Sequence, residues 1–247
     1  MDRLSGYLQR NDSNFKEMSA ACGAFIEGNF NPFVDLLERF LRGRAIRSAT
    51  DSKESRLQSI VELCWFVDGR CVPEMCLLAD PDKEWGHGRF ASVDLFIASS
   101  AHTPSVRMPA IELKNVNLRG VWKGTRASLD DEPNYADLCT LHNVLKNESE
   151  EQLLERRYVY WHQESGTWRS KLVKELKVEA VVQVTRYLRL IKRGYTSGSA
   201  SGVLDDRIRC TSRKSRLDGY VVLCIGNARV LGWYTGTEEA PYVFEKY

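Results

Sequence analysis

Val93-Asp94-Leu95-Phe96-Ile97 and Ala110-Ile111-Glu112-Leu113-Lys114 are two apolar runs that carry charge where a plain core strand has none. Side chains alternate faces along a strand, so Ile111 and Leu113 point one way while Glu112 and Lys114 point the other. Isolated buried charges are costly and are expected to be paired, exposed or metal-bound. With Asp94 on a neighbouring strand, its carboxylate lies beside that of Glu112. Two carboxylates, a backbone carbonyl and waters make an oxygen-rich site suited to Mg²⁺. Such an ion polarises a phosphoryl oxygen and lowers the pKa of water. A lysine two residues on, sharing that face, orients or helps deprotonate the water and offsets phosphorane charge. The pattern points to phosphodiester hydrolysis.

The composition is that of a globular protein. The 247 residues are 43% hydrophobic, 28% charged and 10% aromatic, with 17 Gly and 7 Pro, which excludes a wholly disordered, collagen-like or low-complexity chain. Lys and Arg number 35 against 33 Asp and Glu, a net charge of +2, so any polyanion must be met by local patches. The seven cysteines show no CxxC spacing, and Cys64 and Cys224 sit in apolar runs as small hydrophobes. The four histidines (His87, His102, His142, His162) have no zinc-ligand spacing with them. A GxxxxGK[ST] phosphate loop and a serine-hydrolase elbow are both missing. Neither a leader-like N-terminus nor an apolar run of bilayer length occurs, so an intracellular setting, nucleus or cytoplasm, with no membrane partner is expected.

Working outward, residues 1–50 read as an N-terminal helical extension and 51–247 as the main domain. Asn31-Pro32 is a helix start, with Asn as cap, followed by Phe33, Leu36, Leu37, Phe40 and Leu41 at helical spacing. A second helix is expected from about Asp51 to Val67, capped by Asp51 with Glu54 as the reciprocal carboxylate. Strands are expected over 71–78, 91–98 and 108–116, separated by turns at Asp80-Pro81-Asp82, Trp85-Gly86-His87-Gly88 and 99–104. Residues 120–133 read as a loop, and 135–145, 150–162 and 171–193 as helices. The last has an apolar stripe of Leu172, Leu176, Ala180, Val184, Leu188 and Ile191. Beyond a Gly/Ser-rich connection come the basic stretch Arg207–Arg216, a buried strand at 220–225 and an edge strand at 229–234. This order is α/β, a mixed central β-sheet flanked by helices.

Asp94 followed eighteen residues later by Glu112-Leu113-Lys114 resembles the hallmark of the PD-(D/E)xK nuclease superfamily: an Asp on one strand and (Asp/Glu)-x-Lys on the next. Val93 replaces the family's Pro. That variation is common in its RecB-like branch, whose strand follows a glycine-containing turn like Gly86-His87-Gly88-Arg89. The branch also carries Gln-x-x-x-Tyr on a later helix, which Gln183-Val184-Thr185-Arg186-Tyr187 matches, placing Gln183 and Tyr187 on one helix face. The stretch from Glu54 to Trp233 is similar to nuclease-like domains of fungal and oomycete genomes, including those of Crinkler-type effector proteins. The resemblance implies a restriction-endonuclease-like fold and a Mg²⁺-dependent deoxyribonuclease in which Mn²⁺ can substitute. Asp94, Glu112 and the Leu113 carbonyl would bind metal, and Lys114 would position the water. A family Glu on the first core helix falls on Glu54, with Glu74 and then Glu62 as the other candidates for third carboxylate. Gln183 and Tyr187 would orient groups or contact the substrate strand.

Arg186, Arg189, Lys192 and Arg193, with Arg213 and Lys214 from the basic stretch, are candidates to track a phosphate backbone. Trp122 with Lys123 and Arg126 is a candidate to stack a base or clamp a strand. DNA is the favoured partner. The alternative is a catalytically inactive module of nuclease fold that binds nucleic acid or a protein partner, as an effector would, with additional domains in a longer chain.

Overall fold

The computed structural model describes residues 2–65, 69–84, 86–99, 107–126 and 129–246, with side chains from residue 14 onward. The expected helix end at Val67, Trp85 and the turn around His102 lie outside them. In chain order the elements are α1 (Asp2–Glu27), α2 (Asn31–Arg42), a 3₁₀ turn (Ile46–Ala49), α3 (Glu54–Trp65), β1 (Cys71–Leu78), β2 (Phe90–Ile97) and β3 (Arg107–Val116). There follow α4 (Leu118–Lys123), α5 (Tyr135–Asn147), α6 (Glu150–Leu154), β4 (Arg157–His162), β5 (Thr167–Leu172) and α7 (Val173–Ile191). The chain ends in β6 (Gly202–Val203), β7 (Ile208–Ile225) and β8 (Arg229–Lys246).

Six strands form one mixed sheet in the order β6-β1-β2-β3-β7-β8, with β3 parallel to β7 and the other pairs antiparallel. The parallel step requires a long crossover, and α4 to α7 supply it. Strand alternation sends Leu95, Ile111, Leu113, Tyr220 and Val222 to one face, where they pack on Phe25, Phe33 and Trp65 from α1 to α3. Phe96, Ala110, Leu217 and Val221 go to the other, against Val184, Leu188 and Ile191 of α7. The expected stripe is thus buried at Ala180, Val184, Leu188 and Ile191. Helices α1 and α2 belong to the same core as α3. A third cluster, including Val121, Leu138, Leu145 and Leu153, covers Leu223 and Ile225.

Several local expectations need correction. The strands expected at 220–225 and 229–234 are parts of the longer β7 and β8, so the basic stretch Arg207–Arg216 lies mostly in a strand, and the helix expected from 171 begins at Val173, with Leu172 in β5. The segment 150–162 is not one helix: α6 stops at Leu154, and Tyr158-Val159-Tyr160-Trp161 lies in β4, paired with β5 across the Gln163–Gly166 turn. Aromatic and β-branched residues favour that pleated pairing, and Gly166 at φ 58° supplies the left-handed turn residue. Within the expected loop 120–133, α4 forms under an Asn117 cap, whose side chain accepts from the Gly120 N–H at 2.8 Å. Asp51 caps no helix; it pairs with Arg119 at 3.1 Å, and α3 begins at Glu54. Nor does Asn31 cap α2, whose cap position is Phe30. Among the described residues no helix is long and apolar enough to cross a membrane.

Candidate active site

Strands β2 and β3 pair only at Leu95–Ile111 and Phe96–Ala110. Beyond Leu95 the ladder opens, and the Asp94 side chain takes up the slack, its Oδ2 accepting the Leu113 N–H at 2.6 Å. A residue's N–H and C=O point to the same side of an extended strand, so the Leu113 carbonyl faces this gap as well. Asp94 and Glu112 share the α7 face of the sheet, because each is out of phase with the leucines and isoleucines that face α1 to α3.

Glu112 is fully buried. Its Oε1 accepts from the Lys114 ammonium at 2.5 Å, while its Oε2 has no hydrogen-bond partner among the described residues. Lys114 also reaches Glu54 at 3.7 Å, from the first residue of α3. One cation therefore serves several carboxylates. Burial, with neighbouring Asp94 adding repulsion, pushes Glu112 up to about 8. Burial likewise lifts Asp94 to about 6 and raises Glu54 above its ordinary value, and each also feels Glu74. Burial alone would lower Lys114, but the adjacent Glu112 and Glu54 carboxylates outweigh it and raise it. Burial comes first among the causes for the three carboxylates, and the negative charge gathered around Lys114 adds to it.

Glu74 lies opposite Asp94, since Pro73 pairs with Leu95 and Met75 with Val93. It is exposed and holds a left-handed backbone at φ 47°, a conformation that costs a glutamate energy. Glu62 lies two turns into α3 and is half-buried. The Gln183 amide donates to the Tyr187 hydroxyl at 2.6 Å. Burial lifts that phenol to about 12, and Glu112 and Asp94 are close enough to add to the shift. Thus Glu54, Asp94, Glu112, Lys114, Gln183 and Tyr187 come together, with Glu74 at the edge.

The basic candidates divide. Arg186, Arg189, Arg213 and Lys214 are exposed, Lys192 pairs with Glu238 at 2.8 Å, and Arg193 donates to the Ser201 hydroxyl. Arg207, Arg209 and Arg216 are held by Asp205, Glu245 and Asp218. Lys123 is only 1% exposed, its ammonium held by the Leu129 and Asp131 carbonyls at 2.5 and 2.8 Å and by Glu132 at 3.0 Å. It pins the following loop. Trp122 is buried, with Arg126 over its ring, and offers no open face. The sequence reading missed the aromatic β4–β5 ribbon near Glu54; the Tyr-Val-Tyr-Trp run with Gly166 was the signal for it.

Comparison with protein-family models, with curated proteins and with solved structures finds no match.

Proposed function

We propose that the chain is a divalent-cation-dependent phosphodiester hydrolase of the PD-(D/E)xK type with a restriction-endonuclease-like arrangement, acting most readily on DNA. The observation that carries this reading is Glu112: a fully buried carboxylate with one oxygen on Lys114 and the other unpartnered, beside Asp94, where the ladder opens. A buried oxygen without a donor is costly, and a cation is the partner that oxygen chemistry lacks. Among the described residues no group of three or more His, Cys, Asp or Glu side chains is placed to hold a metal. The donor set that fits is therefore smaller: Asp94, Glu112 and the Leu113 carbonyl, completed by water, as suits Mg²⁺. Once bound, such an ion would supply Lewis-acid polarisation of the phosphoryl group and a more acidic water.

The chain's own residues do the rest. Lys114, which lies between Glu112 and Glu54, would direct its ammonium toward the attacking water and the charge developing on phosphorus. Glu54 holds Lys114 from the open side, at 3.7 Å. The Gln183–Tyr187 pair lies on the α7 side, near enough for Glu112 and Asp94 to act on the phenol. Incubation with circular and linear labelled DNA plus Mg²⁺, with and without EDTA, tests the reading. Nicking that EDTA, Lys114→Ala and Asp94→Ala each abolish is expected; cleavage that survives both substitutions ends the mechanism. Titration calorimetry with Mn²⁺ separates an active site from an inactive module, which should bind no ion.

A further inference from the structure

Beside Glu54 the β4–β5 ribbon and the loop before α3 enclose a cleft of about 340 Å³, lined by Lys53, Asn117, Arg119, Tyr160, Trp161 and Trp168 among others. It adjoins the acidic gap. Asn115, next to Lys114, donates to the Ser52 carbonyl and hydroxyl at 2.6 and 2.9 Å, and so ties that loop to the end of β3. The ribbon is seated by close backbone approach: a Cβ on Gly120 would stand 2.4 Å from the Val159 carbonyl oxygen, and one on Gly124 would stand 2.1 Å from that of Arg157.

On this rigid seat the rings remain open. Trp161 is 51% exposed and Trp168 38%, their centroids 5.3 Å apart and edge to face. Indoles bury large area when they can, so a pair left exposed beside a cleft marks a binding surface. Residues 157–172 carry Arg157, Arg169 and Lys171 against Glu164 alone. Lys123 lies 5.1 Å from the Trp168 ring centre and Lys171 5.1 Å from that of Tyr160. The charge around the rings is mixed: Asp51 lines the cleft too, Lys171 pairs with Glu179 at 2.7 Å and the buried Lys123 with Glu132 at 3.0 Å, which leaves Lys53, Arg157 and Arg169 as the cations without an ion pair among the described residues. Flat rings interleaved with cations fit a strand whose bases are unpaired: the rings stack on bases and the cations meet phosphates. A duplex presents its bases edge-on and gives the rings nothing to stack on.

We propose that this cleft grips a single-stranded segment of nucleic acid, with Trp161 as the principal stacking platform, and feeds it to the acidic gap. The proposal rests on the nuclease reading for its purpose but is measured without cleavage. Labelled oligothymidylate, the matching oligouridylate and a blunt duplex of equal length are titrated in EDTA, followed by anisotropy and tryptophan quenching. The single strands should bind tighter than the duplex, and the two single-strand arms tell DNA from RNA. Trp161→Ala should weaken single-strand binding roughly 5- to 100-fold, while Trp161→Phe keeps most of it and both variants melt close to wild type. Equal or tighter binding of the duplex, or no effect of Trp161→Ala, overturns the proposal. So does failure of every oligonucleotide to bind, which would make the ribbon a surface for a protein. Stacking without any cleavage in Mg²⁺ would leave this grip standing and sink the nuclease reading alone.

Discussion

Two carboxylates on adjacent strands of the sheet are fully buried, Glu112 on β3 and Asp218 on β7. Asp218 is surrounded by donors: Arg107 at 2.9 Å, Arg216 at 2.8 Å and the Tyr234 hydroxyl at 3.4 Å. Glu112 shares a single lysine with Glu54, leaves one oxygen unpartnered and faces Asp94. The first is a saturated ion cluster that joins strands β3, β7 and β8. The second is under-compensated, the arrangement expected of a carboxylate that holds a proton or has a further partner to bind. Burial of charge does not mark a site by itself; what sets Glu112 apart is a missing partner together with a second carboxylate beside it.

The contrast can be broken by experiment. Its largest expected consequence is in catalysis: Glu112→Gln should cut cleavage by at least roughly a thousandfold, while Arg216→Lys should leave it within about threefold, both read from initial rates on labelled DNA. Next comes stability. Asp218→Ala strands two guanidinium groups and should cost on the order of 3 kcal/mol in urea unfolding, whereas Glu112→Gln at pH 8 should be neutral or stabilising.

A third effect is a dependence on pH. Glu112 and Asp94 hold protons more tightly in the folded chain, at about 8 and 6, than in the unfolded one. The stability they contribute is therefore complete at low pH and is lost as pH rises from about 4 through 8. Thermal melts should show Tm falling across that window and Glu112→Gln flattening the fall. Mn²⁺ should reverse it, raising Tm more at pH 8 than at pH 6, since protons and the cation compete for the same oxygens. The smallest effect belongs to Tyr187→Phe, which removes the Gln183 hydrogen bond and should cost about 1 kcal/mol. A loss of stability at Tyr187 as large as at Asp218 would place the two clusters in one class.

The pairing of Asp94 with Glu112 and Lys114 was legible because alternation along short, strongly apolar strands admits one arrangement. The α7 stripe was legible for the same reason at helical period. What escaped depends on distant partners. Arg216 stands in a run of cations that reads as a basic patch; its carboxylate partner Asp218 is only two residues on, but the fold is needed to bring Tyr234 and Arg107 to the same cluster. The β4–β5 ribbon was hidden by the charged residues before it, which favour a helix locally until the aromatic run finds its mate. Lys123 looked like a phosphate contact, yet a loop folded back on it. The orphaned oxygen of Glu112 is legible in no sequence, since it is a property of what fails to arrive.

The short ladder between β2 and β3 gives the sheet a seam. On one side β1 and β2 are bonded along their length, on the other β3 is bonded to β7 from Arg107 to Val116, and only two residue pairs cross between them. Amide hydrogens flanking that seam should exchange with deuterium well before those of β7, making the crevice between Asp94 and Glu112 the softest part of an otherwise stiff plate. Rigidity there must come from whatever the crevice holds, so a loaded molecule should exchange more slowly at its centre while its rim is unchanged.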